Sequence, residues 1–157
     1  MGRYMALDVG DRRIGVALSD PLQIIASPLQ IIARTSDEYA LREITGLVNK
    51  HGVEKLVIGM PYSLDGTIGP QAEKVLSFKD KVAAQLSIET VLQDERLSSV
   101  TAGQKLKETR KKSARLKERI DAAAAAVILQ SYLDESKLKE GESGIDLSIF
   151  DAEEKTL

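Results

Sequence analysis

The order of the apolar segments constrains the fold of this chain more than any other feature of its sequence. Two short apolar runs, Tyr4–Val9 and Ile14–Leu18, are joined by Gly10–Arg13, whose composition is typical of a tight turn. These runs predict two antiparallel strands. A third run, Leu29–Ala33, follows Pro28 and predicts the last strand of an antiparallel meander.

Helical and strand-like segments alternate after the meander. Ser36 is suited to cap a helix whose apolar residues keep helical spacing until His51-Gly52 ends it. The apolar run Lys55–Gly59 predicts a buried strand, a second helix is expected at about Pro70–Leu86, and Ile88–Gln93 predicts the next strand. Because a strand entered through a helix is usually parallel to its neighbour, the sheet is expected to be mixed.

A further helix capped by Ser98 or Ser99 is expected after this strand. A final helix is expected from near Ser113 to about Leu133, and the basic residues before Ile120 are either part of it or a loop. The complete order predicts an α/β fold with a mixed five-stranded sheet, in which three antiparallel strands precede parallel strands and helices cover both faces. A length of 157 residues suits one domain. We expect this domain to span residues 1–137, followed by an acidic, poorly ordered tail at 138–157.

The composition excludes several classes of chemistry. The chain has no cysteine and a single histidine, His51, which excludes disulfides, thiolate zinc sites, cysteine nucleophiles and sites with two histidine ligands. Catalysis would therefore use carboxylates, hydroxyls, basic groups or the backbone. No apolar stretch is long enough to cross a membrane and no secretory signal is recognisable, so we expect a cytoplasmic protein without a membrane partner.

Charge is distributed unevenly along the chain. The segment Lys105–Arg119 contains eight basic residues against Glu108 and Glu118. The segment Asp134–Leu157 contains eight acidic residues against three lysines. The basic segment is either a solvated helix face or a surface that binds phosphate groups.

Acidic residues occur at the ends of otherwise apolar elements. Asp8 lies inside the first apolar run, Glu95 ends the last predicted strand, and Asp121 precedes the alanines Ala122–Ala126, which would let a helix approach the sheet closely. A carboxylate in such a context is costly unless something compensates its charge. Because successive side chains of a strand face opposite ways, Asp94 and Glu95 cannot both enter one pocket.

Three converging carboxylates would repel one another unless protons or divalent cations neutralised them. Oxygen ligands without cysteine or paired histidine suit Mg²⁺ or Mn²⁺. Metal ions held in this way can activate water and stabilise the leaving oxygen of a phosphodiester. The pattern therefore predicts metal-dependent phosphodiester hydrolysis.

Each acidic residue also has a structural interpretation that the sequence leaves open. Asp8 could cap the turn at Gly10 through a side-chain hydrogen bond. Glu95 could form an ordinary ion pair with Arg96 or Arg12. Asp121 could be a first-turn acid that the helix dipole favours.

Four groups of residues follow one another in an order typical of a known family. They are Leu7–Gly10 with Arg13–Ala17, Gly59–Pro61 with Leu64–Gly66, Asp94–Ser98, and Asp121–Ala123 with Ile128–Leu133. On these residues the chain resembles the YqgF/RuvX proteins, small RNase H-like nucleases related to the RuvC Holliday junction resolvase. The resemblance implies an RNase H-like sheet. It also implies that Asp8, Glu95 and Asp121 are the catalytic and metal-binding residues, which selects Glu95 over Asp94.

The resemblance implies a structured nucleic acid as substrate. Processing of the 5′ end of pre-16S rRNA in ribosome biogenesis is favoured, cleavage of four-way DNA junctions is the alternative, and a non-catalytic RNA-binding module is a third hypothesis. The oligomeric state, monomer or homodimer, is left open. Basic residues that neutralise phosphates give affinity without reading sequence, and the expected contacts are Arg12, Arg13, Arg96, Arg110, Lys111 and Lys112.

Overall fold

A computed structural model describes residues 2–95 and 114–144, with the backbone alone described for 114–121 and 139–144. These residues form five strands and three helices in the predicted order, and the predicted helix capped by Ser98 or Ser99 lies outside the described residues. The elements are β1 (Arg3–Val9), β2 (Arg13–Ser19), β3 (Ala26–Ala33), α1 (Asp37–His51), β4 (Val53–Met60), α2 (Pro70–Gln85), β5 (Glu89–Asp94) and α3 (Ala114–Gly144).

The strands form one mixed sheet in the order β3-β2-β1-β4-β5. β1 and β3 pair with β2 antiparallel, whereas β4 pairs with both β1 and β5 in parallel. This confirms the predicted arrangement. β3 begins at Ala26, earlier than the predicted Leu29, because its pairing with β2 continues past Pro28. Pro28 is tolerated there since β3 is an edge strand, where a proline need not interrupt the ladder.

Each face of the sheet is covered by helices, as predicted. On one face, large apolar side chains such as Leu7, Ile58 and Phe78 form a buried core with α1 and α2. On the other face, the small side chains of Ala6 and Ala17 lie beneath buried residues of α3. Because these side chains are small, α3 can pack close to the strands.

Local signals define α1 as the sequence predicts. The Ser36 hydroxyl accepts a hydrogen bond from the Tyr39 amide at 3.0 Å, which caps the first turn. Gly52 ends the helix in the left-handed conformation, with φ of 62°, which glycine adopts without steric cost.

The helix α3 differs most from its predicted extent. Its backbone is helical without a break at Ile120 and continues to Gly144, well past the predicted end at Leu133. The added residues include Glu and Lys, whose intrinsic propensity favours helix. The predicted boundary between 137 and 138 falls inside this helix, while 145–157 lie outside the described residues. Across 2–95 and 114–144, no helix combines the length and the apolar character needed to cross a membrane.

Candidate active site at the carboxyl edge of the sheet

The parallel strands bring two of the predicted site residues to the same edge and face of the sheet. β4 lies between β1, which carries Asp8, and β5, which Glu95 follows directly. Alternation along β1 puts Asp8 on the face of Ala6, which packs beneath α3. Glu95 shares its face with Gln93, whose amide donates to Glu135 of α3 at 3.1 Å. Asp8 and Glu95 therefore face the same side of the sheet.

Gly59 leaves the space that the Glu95 carboxyl group occupies. A Cβ atom at Gly59 would lie 2.8 Å from Glu95 Oε2 and 2.5 Å from Ile128 Cδ1, closer than real Cβ contacts. The backbone also ties Glu95 to this strand, because its amide donates to the Met60 carbonyl at 3.2 Å. A glycine on the central strand thus lets a carboxyl group from β5 lie over β4, towards β1.

The Glu95 carboxyl group is buried in an unfavourable electrostatic environment. Its exposed fraction is 6%, and Oε2 has no hydrogen-bond partner within the described part of the chain. Burial, together with the negative charges of Asp8 and Asp94, raises the pKa of Glu95 from 4.5 to about 8. The site therefore disfavours a second negative charge unless a proton or a cation compensates it.

These features fit a divalent cation. Glu95 Oε2 is a buried oxygen that lacks a partner among the described residues, Asp8 supplies a second carboxylate nearby, and hard cations such as Mg²⁺ prefer oxygen ligands. The side chains that the structure describes include no group of three or more His, Cys, Asp or Glu arranged to hold a metal ion. The third predicted carboxylate, Asp121, falls in the range 114–121, whose side chains are not among them.

The backbone position of Asp121 is nevertheless defined. It precedes Ala125 by four residues and Ile128 by seven in α3, and both of these residues are buried against the sheet. Its predicted role stays a prediction.

The alternative interpretation of Glu95 as an ion-pair residue is contradicted for one of its two partners. Glu95 forms no ion pair with Arg12 in the described structure, and its buried Oε2 would have to reach an exposed side chain to do so. Arg96, the other candidate partner, lies outside the described residues.

Two of the six expected phosphate contacts lie beside Asp8. Arg12 is exposed and Arg13 is half-buried, and both line an open cleft of about 320 Å³ together with Asp8, Gly10 and Asp11. The other four basic residues, Arg96, Arg110, Lys111 and Lys112, lie outside the described residues. The cleft therefore joins a carboxylate of the site to cationic side chains.

Sequence reasoning noted Gly59 as part of a motif but missed its place in the site. An isolated glycine at the end of an apolar strand often marks a point where another group approaches the backbone closely. That signal was present in Lys55–Gly59, but it does not say which group approaches.

Comparisons with known proteins find relatives over most of the chain. The family model described as RuvX, Holliday junction resolvase, matches residues 2–135. A relative from Dehalococcoides mccartyi, named “Putative pre-16S rRNA nuclease”, is 50% identical over 128 residues, which cover 82% of this chain and 95% of the relative. A relative of the same name from Desulforudis audaxviator is 44% identical over 135 residues, covering 86% and 96%.

A solved structure supports the fold. The Fowlpox virus resolvase in complex with Holliday junction DNA has a TM-score of 0.52 and 10% identity, and the match covers 85% of this chain and 97% of the resolvase. At that identity the similarity concerns the fold alone. The family match, in contrast, spans most of the chain and includes Asp8, Gly59, Glu95 and Asp121. The chain therefore belongs to the RuvX family of nucleases.

Proposed function

We propose that this protein is a divalent-metal-dependent nuclease that hydrolyses phosphodiester bonds in structured RNA, with the 5′ end of pre-16S rRNA as its substrate. The observation that carries the proposal is the buried Glu95 carboxyl group beside Asp8 at the carboxyl edge of the sheet. The names of the two curated relatives favour RNA as the substrate. Processing of a ribosomal RNA precursor would place the protein in the cytoplasm.

Asp8, Glu95 and Asp121 are proposed to hold Mg²⁺, or Mn²⁺ in its place. When bound, such an ion supplies Lewis-acid stabilisation of the phosphodiester oxygens and lowers the pKa of a bound water. Glu95 contributes a carboxyl group that is already desolvated, so it loses little hydration when it binds a cation. Gly59 contributes the free volume in which that group lies.

The cationic residues have a separate role. Arg12 and Arg13 line the cleft beside Asp8, where their charges can bind the phosphates on either side of the scissile bond. Arg96, Arg110, Lys111 and Lys112 are proposed to extend this surface. Such contacts orient the strand and give affinity that falls as salt is raised.

A cleavage assay with matched substrates tests the proposal. Purified protein is given a pre-16S 5′-leader RNA or a four-way DNA junction of matched length, each with Mg²⁺ or with EDTA. We expect Mg²⁺-dependent cleavage of the RNA, reduced about 100-fold or more by Asp8→Asn, since even outer-shell changes at metal sites cost 10- to 100-fold. The matched control is Asp80→Asn, an exposed carboxylate on α2, which should cut at the wild-type rate. Wild-type cleavage by Asp8→Asn would contradict the proposal.

A second candidate is favoured by the description of the family model as a Holliday junction resolvase. Preferred cutting of the DNA junction in the same assay would support it. Cleavage of two opposed strands needs two symmetric active sites, so a resolvase should also be a dimer by light scattering. Binding of RNA that is equal in EDTA and Mg²⁺, without any cleavage, would instead indicate a non-catalytic RNA-binding module.

A further inference from the structure

The loop between β4 and α2 displays an apolar side chain that the site described above does not use. Leu64 is 84% exposed, more than any other large apolar side chain among the described residues, and Ile68 on the same loop is 49% exposed. Scattered apolar residues at a surface are common, so exposure alone carries no conclusion. The structure and position of the loop give this pair its significance.

The loop is a small hairpin held by its own hydrogen bonds. The Ser63 amide donates to the Thr67 carbonyl at 2.9 Å, and the Gly66 amide donates to the Ser63 carbonyl at 2.7 Å. Asp65 Oδ1 accepts hydrogen bonds from the Thr67 amide at 3.0 Å and the Thr67 hydroxyl at 2.7 Å. Gly66 has φ of 87°, which allows the tight turn. Leu64 is thus presented from an ordered turn, where little conformational entropy is lost on binding.

The hairpin starts at the candidate active site. Leu64 follows Met60 by four residues, so it lies within about 14 Å of Met60 along even a fully extended chain. The Met60 carbonyl itself accepts the hydrogen bond from the Glu95 amide. That distance is about four base steps of a stacked strand, at about 3.4 Å each. A nucleic-acid strand that is bound at the site and runs along this edge of the sheet would therefore reach the hairpin.

We propose that Leu64 contacts an unstacked base beside the cleavage position and so favours substrates in which a base step can open. This inference rests on the proposed nuclease function. Charged residues such as Arg12 neutralise phosphates but cannot distinguish stacked from unstacked bases. Apolar side chains that insert at base steps do make this distinction, because they replace the lost stacking contacts.

Binding measurements with cleavage blocked by EDTA test this role. The probe is an RNA stem-loop with a 5′ single-stranded extension, carrying 2-aminopurine in turn at each nucleotide around the stem boundary. The variant is Leu64→Ser, and the matched control is Leu138→Ser, since Leu138 is 69% exposed on α3 outside the site. Both substitutions lie at exposed positions and should leave thermal unfolding unchanged.

We expect Leu64→Ser to weaken RNA binding about tenfold, which corresponds to about 1.4 kcal/mol. It should also abolish most of the fluorescence rise that reports an unstacked 2-aminopurine. For Leu64→Ser, the slope of log K against log salt should stay at the wild-type value. Arg12→Ala should reduce the magnitude of this slope by about 1, as expected for the loss of one phosphate contact. Leu138→Ser should behave as wild type in all three measurements.

The outcomes separate this inference from the function on which it rests. If wild-type protein binds and cuts RNA but Leu64→Ser keeps the wild-type affinity and fluorescence change, the base contact is wrong and the nuclease function stands. The same result would be expected if the hairpin bound another protein. If the wild type neither binds nor cuts the RNA, the proposed function itself fails.

Discussion

Replacing Glu95 by glutamine should make the metal-free protein more stable at alkaline pH and nearly unchanged in stability at acidic pH. The pKa of Glu95 is raised from 4.5 to about 8 by burial and by the charges of Asp8 and Asp94. Between these values the folded protein keeps the Glu95 proton while the unfolded chain releases it. The protonated Glu95 therefore makes its whole contribution to the free energy of unfolding below about pH 4.5, and this contribution is lost as pH rises towards about 8.

The magnitude follows from the same values. A pKa difference of one between the folded and unfolded states corresponds to 1.36 kcal/mol, so the rise of the Glu95 pKa from 4.5 to about 8 amounts to at most about 5 kcal/mol. Glu95 is only 6% exposed, so solvent screens little of this effect. Glutamine has nearly the same shape and carries no charge at any of these pH values. Relative to wild type, Glu95→Gln should gain a few kcal/mol between pH 5 and pH 8.5.

Urea unfolding in EDTA at pH 5, 6, 7, 8 and 8.5 measures this difference. A cost of the new amide group that does not vary with pH cancels. The test uses only how the stability difference between Glu95→Gln and wild type changes with pH. The control is Glu73→Gln, which makes the same chemical change at an exposed position in the first turn of α2. Parallel pH profiles for wild type and Glu95→Gln would refute the reasoning, since they would mean that Glu95 ionises as an ordinary surface carboxyl group.

Three further predictions concern the site and its support. Gly59→Ala should destabilise the protein by about 1–3 kcal/mol through overpacking. Gly46→Ala in α1 should instead stabilise the protein by about 0.5–1 kcal/mol, because a Cβ atom added there would meet no atom within 4 Å. Urea unfolding in which the two alanine variants change stability in the same direction would contradict this. Mg²⁺ at ten times its Kd should stabilise the wild type by about 1.4 kcal/mol. Asp8→Asn should lose most of that gain in thermal unfolding, and an equal gain would place the ion elsewhere. Gln130→Ala should cost about 1–3 kcal/mol, because the Gln130 side chain accepts from the Ala26 amide at the start of β3 at 2.9 Å and donates to the Ile24 carbonyl at 3.0 Å. An unchanged urea midpoint would show that these bonds contribute nothing.

Much of the fold could be predicted because its signals are local. The turn at Gly10–Arg13, the Ser36 cap and the Gly52 stop each act within a few residues of the chain, and the structure has a turn, a helix start and a helix end at those places. The end of α3 could not be predicted in the same way. The side chains described after Leu133, at 134–138, are mostly exposed, so the apolar spacing that marks a helix stops there although the backbone continues to Gly144.

The amino-acid composition alone shows which side chains could perform chemistry, because the absence of cysteine and the single histidine leave carboxylates as the candidate metal ligands. How two of those carboxylates meet depends on the folding of the chain. The sheet order puts β4 between the strands of Asp8 and Glu95, and Gly59 leaves room for the Glu95 carboxyl group above it. Burial, the raised pKa of Glu95 and the nearby charge of Asp8 all come from contacts between residues distant in the chain. Local patterns do not encode such contacts, because they depend on which strands become neighbours.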